Sequence, residues 1–244
     1  MIEVADLHKS FGRQSVLKGL NMTIPKGEIT VIMGPSGCGK TVLLRHIIGL
    51  HRPDRGTVRL EGTDLGKLDR FQLNHIRRRF GMLFQHAALF DSMNVLENVA
   101  FPLREQNRAS EEEIRRKVRE KLKLVGLENI EEKMPSELSG GMRKRVGLAR
   151  AIALSPEIIL YDEPTTGLDP LMSEVIDNLI LQMQRDLQIT SVVISHDVFS
   201  AFQIADHIAM LFDGKVVEWG TPEEFRRSKV KVVQDFLSKG GVKF

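Results

Sequence analysis

One eight-residue stretch constrains this chain more than any other. Gly34-Pro35-Ser36-Gly37-Cys38-Gly39-Lys40-Thr41 fits G-x-x-x-x-G-K-[ST]. It stands between an apolar run, Ile29-Thr30-Val31-Ile32-Met33, and a segment carrying Leu43, Leu44, Ile47 and Ile48 at helical spacing. A strand turning through glycines into a helix is the setting in which this pattern cradles phosphate. Glycines let backbone N–H groups turn inward around phosphate oxygens. The helix start adds its partial positive charge. Lys40 is then placed to reach the β- and γ-phosphates of ATP, and the Thr41 hydroxyl to ligate Mg²⁺. Val42 completes the binding stretch. The alternative is a glycine-rich turn that binds nothing. Cys38 reads as a small loop residue, because no second cysteine and no histidine gives it a catalytic setting.

Such a unit requires a parallel sheet around it, and apolar runs alternating with helical patterns predict an α/β core. The 244 residues allow one to two domains at about 150 each. The opening differs from the rest: Ile2 to Leu7 and Val16 to Ile24 read as two strands joined near Gly12. Val58 to Leu60 and Phe80 to Gln85 read as further strands. Residues 110–126 predict a helix, with Ser110 as cap, Glu113 completing a capping box, Ile114, Val118, Leu122 and Val125 on one face, and Gly126 as stop. A second helix starts near Gly140 and a third carries Val175, Ile176, Leu179, Ile180, Met183 and Leu187. Ile158 to Asp162 and Val192 to Ile194 are strands. His207 to Phe212 and Lys215 to Trp219 flank Asp213-Gly214, a hairpin-turn signal. Residues 90–155 interrupt the strand rhythm and predict a helical subdomain.

Charge and apolarity narrow the partners. The longest stretches free of Asp, Glu, Lys and Arg are eleven residues, 29–39 and 80–90. A bilayer span needs about 20 apolar residues, so no transmembrane helix is expected. The start lacks a basic region followed by an apolar core, so no secretory signal is expected either. The net charge is only +3 and aromatics make up 6%, a poor match to a nucleic-acid stripe. The basic clusters at 77–79, 115–116 and 143–145 read mostly as solvated faces. One cysteine excludes a disulfide framework.

Two more motifs bear on chemistry. In Ile158-Ile159-Leu160-Tyr161-Asp162-Glu163 an apolar strand runs into two acids. The carboxyl end of a parallel strand faces the ligand crevice. Asp162 is placed to hold the Mg²⁺ shell and Glu163 to orient or deprotonate water. In Leu138-Ser139-Gly140-Gly141-Met142 a serine and two glycines open a helix, a second anion-binding type of start. It lies 99 residues after Lys40 and has no lysine of its own. Taken alone, it reads first as one capped helix start.

Together these motifs resemble the ATPase subunit of ABC transporters over essentially residues 1–225. The resemblance implies a P-loop NTPase core with an antiparallel β-subdomain and a helical subdomain, within which 1–225 is one ATPase domain. It implies a head-to-tail homodimer in which Ser139, Gly140 and Gly141 of one copy cap the ATP held by the other. Phe11 then matches the aromatic that stacks on adenine, although it could equally pack in the core. Gln85 matches the glutamine that touches Mg²⁺ and water and senses the membrane partner. Asp169, in Gly167-Leu168-Asp169, matches the D-loop. His196 matches the switch histidine on the γ-phosphate; otherwise it is a polar strand cap. Glu163, His196 and Gln85 are the catalytic set; Thr41, Gln85 and Asp162 are the Mg²⁺ set. The common signature reads LSGGQ, and Met142 departs from it, removing a side-chain amide.

The stretch 86–103, reading ALFDSM and then NVAFPL, together with LSGGM, resembles the ATPases of MCE-type lipid transport systems, in particular the Mla phospholipid system of Gram-negative inner membranes. That implies a transmembrane permease dimer, a periplasmic MCE protein, a small STAS-domain subunit, phospholipid as cargo, no nucleic acid, and a place on the cytoplasmic side of the inner membrane. ATPases of amino-acid, metal or other solute importers share every ATPase motif and remain the alternative. Leu89, Phe90 and Met93 are a docking place for a permease helix or else local core. Beyond 225, Val232, Val233, Phe236 and Leu237 have helix spacing, closed by Gly240-Gly241. This tail of 226–244 could pack on its own subunit, reach the second copy, or meet anionic lipid.

Overall fold

The computed structural model describes residues 1–106 and 110–239. The expected stop at Gly240-Gly241 therefore lies outside the described residues. The chain opens with β1 (Ile2–Phe11) and β2 (Gln14–Ile24), then β3 (Ile29–Met33) and α1 (Lys40–Ile47), β4 (Arg55–Leu60), β5 (Thr63–Asp64), α2 (Arg70–Arg77) and β6 (Phe80–Leu83). The helical segment follows: α3 (Val95–Glu105), α4 (Glu111–Leu124) and α5 (Gly140–Ala151). The chain returns through β7 (Ile158–Asp162), α6 (Pro170–Leu187), β8 (Thr190–Ile194), α7 (Val198–Ile204), β9 (His207–Phe212), β10 (Lys215–Gly220), α8 (Pro222–Arg226) and α9 (Lys231–Lys239).

Two sheets form. One has order β2-β1-β4-β5 and its pairings are antiparallel; the other has order β10-β9-β3-β8-β7-β6. In the second, β6, β7, β8, β3 and β9 run parallel, and only β10 is antiparallel. Every residue of β3 and β8 is buried, as the interior of a parallel sheet covered on both faces requires. Side-chain alternation sorts the strands between two cores. Val31 and Met33, Ile159 and Tyr161, and Val193 face α3–α7. Ile32, Leu160, Val192 and Ile194 face α1 and the antiparallel sheet. Each fully buried aliphatic side chain contributes about 1.5–3 kcal/mol, so this central sheet is the rigid frame of the molecule.

Local signals explain most boundaries. Asp213 and Gly214 have φ of 45° and 75°, and the β9–β10 hairpin turns there. In α4, Ile114, Val118 and Leu122 are buried, Val125 is buried just past its end, and Gly126 follows with φ 68°. The Ser110 hydroxyl accepts the Glu113 N–H at 3.3 Å, but the expected capping box does not form, because the Glu113 carboxylate pairs with Lys117 at 2.7 Å instead. The strand expected over Phe80 to Gln85 ends at Leu83, leaving Gln85 in a loop. α9 packs Val233 and Leu237 into the same core as Phe225, so the tail through Lys239 lies on its own subunit.

The basic clusters divide: Arg78, Arg115, Arg116 and Arg143 are exposed, whereas Arg77, Arg79, Lys144 and Arg145 are wholly or partly buried. The Arg77 guanidinium donates to the Gly49 carbonyl at 2.7 Å, and Arg79 joins Glu157 at 2.6 Å and Glu61 at 2.7 Å. Arg143 donates to Leu138 O at 2.9 Å and Arg145 to Gly126 O at 2.9 Å. Charged donors satisfy carbonyls that helix and loop ends would leave orphaned. α6 and α7 are joined by a buried bond, the Ser200 hydroxyl donating to Asp177 at 2.7 Å.

Candidate active site

Four loops leave the carboxyl ends of four parallel strands. The phosphate loop follows β3, Gln85 follows β6, Glu163 follows β7 and His196 follows β8. This is the edge of an open parallel sheet where ligands bind.

The phosphate loop needs its glycines. Gly34, Gly37 and Gly39 have φ of 149°, 79° and 109°, and a Cβ on Gly34 would collide with the Leu211 carbonyl. Pro35, Ser36 and Gly37 are exposed, whereas Lys40 is only 7% exposed. Its Nζ donates to Gly34 O at 2.7 Å and Pro35 O at 3.0 Å, which holds the ammonium inside the loop. α1 has no acidic residue in its first turn, so nothing there offsets the positive helix end. The loop borders a cavity of about 400 Å³ shared with Gln14–Val16 and Phe212–Gly214. Burial pushes the Cys38 thiol up, away from a reactive thiolate. The Val42 carbonyl accepts a bond from His46 at 2.7 Å, and Val42 itself packs toward the antiparallel sheet.

Glu163 is where Gln85 and His196, both distant in sequence, meet its near neighbour Thr166. Gln85 Nε2 donates to its Oε2 at 3.3 Å, the Thr166 hydroxyl donates to the same oxygen at 2.9 Å, and His196 Nδ1 lies 3.5 Å from it. The backbone of Glu163 sits at φ 49°, a left-handed conformation costing on the order of 1–3 kcal/mol for a side-chain-bearing residue. Its N–H donates to Ile194 O at 3.0 Å and its carbonyl accepts from the buried Lys144 Nζ at 3.2 Å. These bonds hold the strained turn that aims the carboxylate out of β7. Thr166 and Lys144 carry no signal in the sequence: one is a loop threonine, the other sits within a basic cluster.

Next to it, the Thr41 hydroxyl donates to Asp162 Oδ1 at 3.4 Å. Burial, then the neighbouring Glu163, push the Asp162 carboxyl up from its usual range. A hard divalent cation would relieve both penalties. Among the described residues no three His, Cys, Asp or Glu side chains group as a self-contained metal site. The Thr41 hydroxyl and Asp162 carboxylate offer two hard oxygens of the kind Mg²⁺ takes, a cation that commonly keeps water and substrate oxygens in the rest of its shell.

Ser139 caps α5, accepting the Met142 N–H at 3.2 Å, and Asp169 caps α6, accepting the Met172 N–H at 3.0 Å. A Cβ on Gly141 would stand 2.9 Å from Met172 Sδ, so the glycine lets the two helix starts approach. Ser139, Gly140 and Asp169 are exposed. Met142 packs its side chain inward against the helical core. Among the described residues no hydrogen bond joins Ser139–Gly141 to the phosphate loop. Phe11 is 46% exposed at the end of β1, its ring edge-on to His51 at 5.6 Å, and it does not line the cavity beside the loop.

Residues 17–166 match the ABC transporter family. The chain is 46% identical over 237 residues to the probable ribonucleotide transport ATP-binding protein mkl of Mycobacterium tuberculosis, covering 97% of this chain and 66% of that one, so it spans just under two thirds of that relative. It is 45% identical over 247 residues to the intermembrane phospholipid transport system ATP-binding protein MlaF of Haemophilus influenzae, covering 100% of this chain and 94% of that one. Among solved structures, the dimeric bacterial ABC transporter cassette MJ0796 superposes with a TM-score of 0.84 at 36% identity, over 91% of this chain and 99% of that one. The same cassette in a post-hydrolysis state bound to ADP and Pi gives 0.83, also at 36% identity and the same two coverages. With the strand–loop–helix, the acids ending β7 and the capped start of α5 all in this arrangement, the chain belongs to the ABC transporter family as an ATP-binding cassette.

Proposed function

We propose that this chain binds and hydrolyses ATP as the motor subunit of a membrane transport complex, and that the cargo of the complex is phospholipid. The observation that carries the enzymatic reading is the convergence of Gln85, Thr166 and His196 on one Glu163 oxygen. A carboxylate held by several donors at a strand end is placed to take a proton from, or orient, a water. His196 is then within reach of the γ-phosphate side of that water. Gly34 to Thr41 hold the phosphates, with Lys40 leaving its two loop carbonyls for phosphate oxygens. Thr41, Asp162 and Gln85 would hold Mg²⁺, which would supply charge neutralisation for the phosphates. Phe11 offers its exposed face to adenine.

The exposed Ser139, Gly140 and Asp169, with the buried Gly141 beside them, are completed by a second copy placed head to tail, each capping the ATP of the other. The dimeric cassette relative supports this assembly. No helix among the described residues is long and apolar enough to cross a membrane. A transmembrane permease must then supply the passage, with the chain on the cytoplasmic side of the inner membrane. An apolar groove of about 440 Å³ beside Gln85, lined by Phe84, Ala88, Phe90, Phe101 and Pro102, fits a permease helix. Phe90 is exposed there, whereas Leu89 is half-buried against the core and Met93 half-buried. A periplasmic MCE protein and a STAS-domain subunit complete the proposed complex. The domain reading is one ATPase domain over 1–225, with a helical subdomain within 90–155.

Near-full-length identity to a phospholipid transport ATPase favours lipid cargo. A second reading, a small solute, is favoured by the ribonucleotide name of the mycobacterial relative. Affinity purification from native membranes in mild detergent, with subunit identification and lipid analysis, separates them. Copurified permease, MCE and STAS subunits with bound phospholipid are expected. A lipid-free complex with a soluble solute-binding partner would overturn the lipid reading.

A further inference from the structure

The loop that carries Gln85 is bent in an unusual way. Ala87 and Ala88 both lie in the left-handed region, with φ of 58° and 48°. Neither is glycine, and two such residues in succession are disfavoured by contact between Cβ and the following carbonyl. Something outside the loop must hold it. The Ala87 N–H closes one turn onto Phe84 O at 2.9 Å. The remaining restraint comes from the last turn of α5. Arg150 donates through one guanidinium nitrogen to Ala87 O at 2.7 Å and through another to Ala88 O at 2.8 Å. Its guanidinium carbon also lies 5.7 Å from the centre of the Phe90 ring. One planar fork thus spans both strained residues and touches the next aromatic. A turn earlier, Gly147 leaves the room that this requires, since a Cβ there would stand 3.0 Å from Ala87 Cβ.

We propose that Arg150 is a positioning residue that holds the Gln85 loop in its strained shape and so sets where the Gln85 amide meets Glu163. The same helix starts at Ser139, roughly 16 Å away at 1.5 Å per residue. A displacement of α5 therefore moves the signature start and the Gln85 loop together. Arg150, Ala88 and Phe90 also line the apolar groove. An occupant of the groove would press on the clamp itself. The inference rests on Gln85 acting in hydrolysis, as proposed above.

The test uses the full chain with four variants: Arg150→Met, which keeps most of the stem, Arg150→Lys, which can reach one carbonyl, Ala88→Gly, and Arg150→Met with Ala88→Gly. ATP turnover, ATP binding and amide hydrogen exchange over 84–91 are measured. A misplacement of about 1 Å can cost about 100-fold in rate. Arg150→Met is expected to lower kcat about 10- to 100-fold with ATP affinity within about twofold of wild type, and to speed exchange at 87–90 alone. Arg150→Lys should fall between. Glycine takes the left-handed conformation without help, so Ala88→Gly should restore several-fold of the rate lost in Arg150→Met. A generally unstable protein would instead lose kcat, affinity and exchange protection everywhere, with no rescue by Ala88→Gly, and that pattern overturns the proposal. So does turnover within about twofold of wild type in Arg150→Met alongside faster exchange. If Arg150→Met does not fold, Arg150→Lys must show the local exchange change, and its absence overturns the proposal. Gln85→Ala runs alongside: if it leaves kcat unchanged, the Gln85 role fails, while the exchange at 87–90 still reports on the clamp.

Discussion

Two helices in this molecule begin in ways suited to anions, and they are built oppositely. α1 begins with Gly39 at φ 109° and no side-chain cap, and its lysine is folded back and buried in the loop. α5 begins with Ser139 in an extended conformation, its hydroxyl already bonded to its own third residue, with no lysine and an exposed face. The first start brings its own charge and its own cradle. The second offers a hydroxyl and glycine N–H groups on open surface, while its nearest cation, Arg143, is turned back onto the Leu138 carbonyl. A helix end whose cation is engaged elsewhere offers an anion only its partial charge. The second start becomes useful only when another group brings the phosphate to it, which is the physical case for pairing two copies.

The comparison can be broken in a definite order. Glu163→Gln removes the base between the two starts. Turnover should fall about 10²–10⁴-fold while ATP binding persists and the ATP-bound dimer accumulates by size-exclusion; wild-type turnover would reject the assignment. Lys40→Ala strips the charge from the α1 start. Two charge-assisted bonds are lost, so ATP affinity should fall about 100-fold in a direct binding titration, and unchanged affinity would show that the loop does not hold phosphate. Ser139→Ala touches only the α5 start. Turnover should fall about tenfold with ATP binding by the diluted subunit unchanged. Wild-type turnover per subunit should itself decline on dilution, and a flat rate would mean that the α5 start acts within its own chain.

How far the sequence reveals these two starts also differs. The α1 site is legible because its chemistry needs fixed residue types at fixed spacing on one continuous segment. The strands that lead to Asp162, Glu163 and His196 are legible too, as short, mainly apolar runs followed by polar residues. What brings Gln85, Glu163 and His196 together is strand order, and order is a long-range property that no local pattern encodes. Lys144 is invisible for the same reason, whereas Thr166 lies only three residues from Glu163 and escapes because its bond spans a strained turn rather than a helix face. α2 escapes notice because only Leu73 of its eight residues is buried; its Asp69–Gln72 capping box forms it instead. The clusters at 77–79 and 143–145 mislead in part, and 115–116 does not, because charge alone does not reveal whether a side chain faces water or a carbonyl.

The bond between Asp177 and Ser200 links the helix that follows Asp169 to the helix that follows His196. Burial pushes the Asp177 carboxyl up to about 6 against the Ser200 hydroxyl, which pulls it down, with Asp197 and Glu174 adding to the rise. An acid raised in this way stabilises the fold while it keeps its proton, below its ordinary value, and that contribution is lost as pH rises through about 6. At neutral pH, Asp177→Asn should therefore raise the thermal midpoint by a few degrees and flatten its dependence between pH 4 and about 7, with turnover unchanged. An unchanged slope would mean the carboxyl is ionised throughout. The packing of α6 on α7, the helices that follow Asp169 and His196, thus depends on a proton held at Asp177.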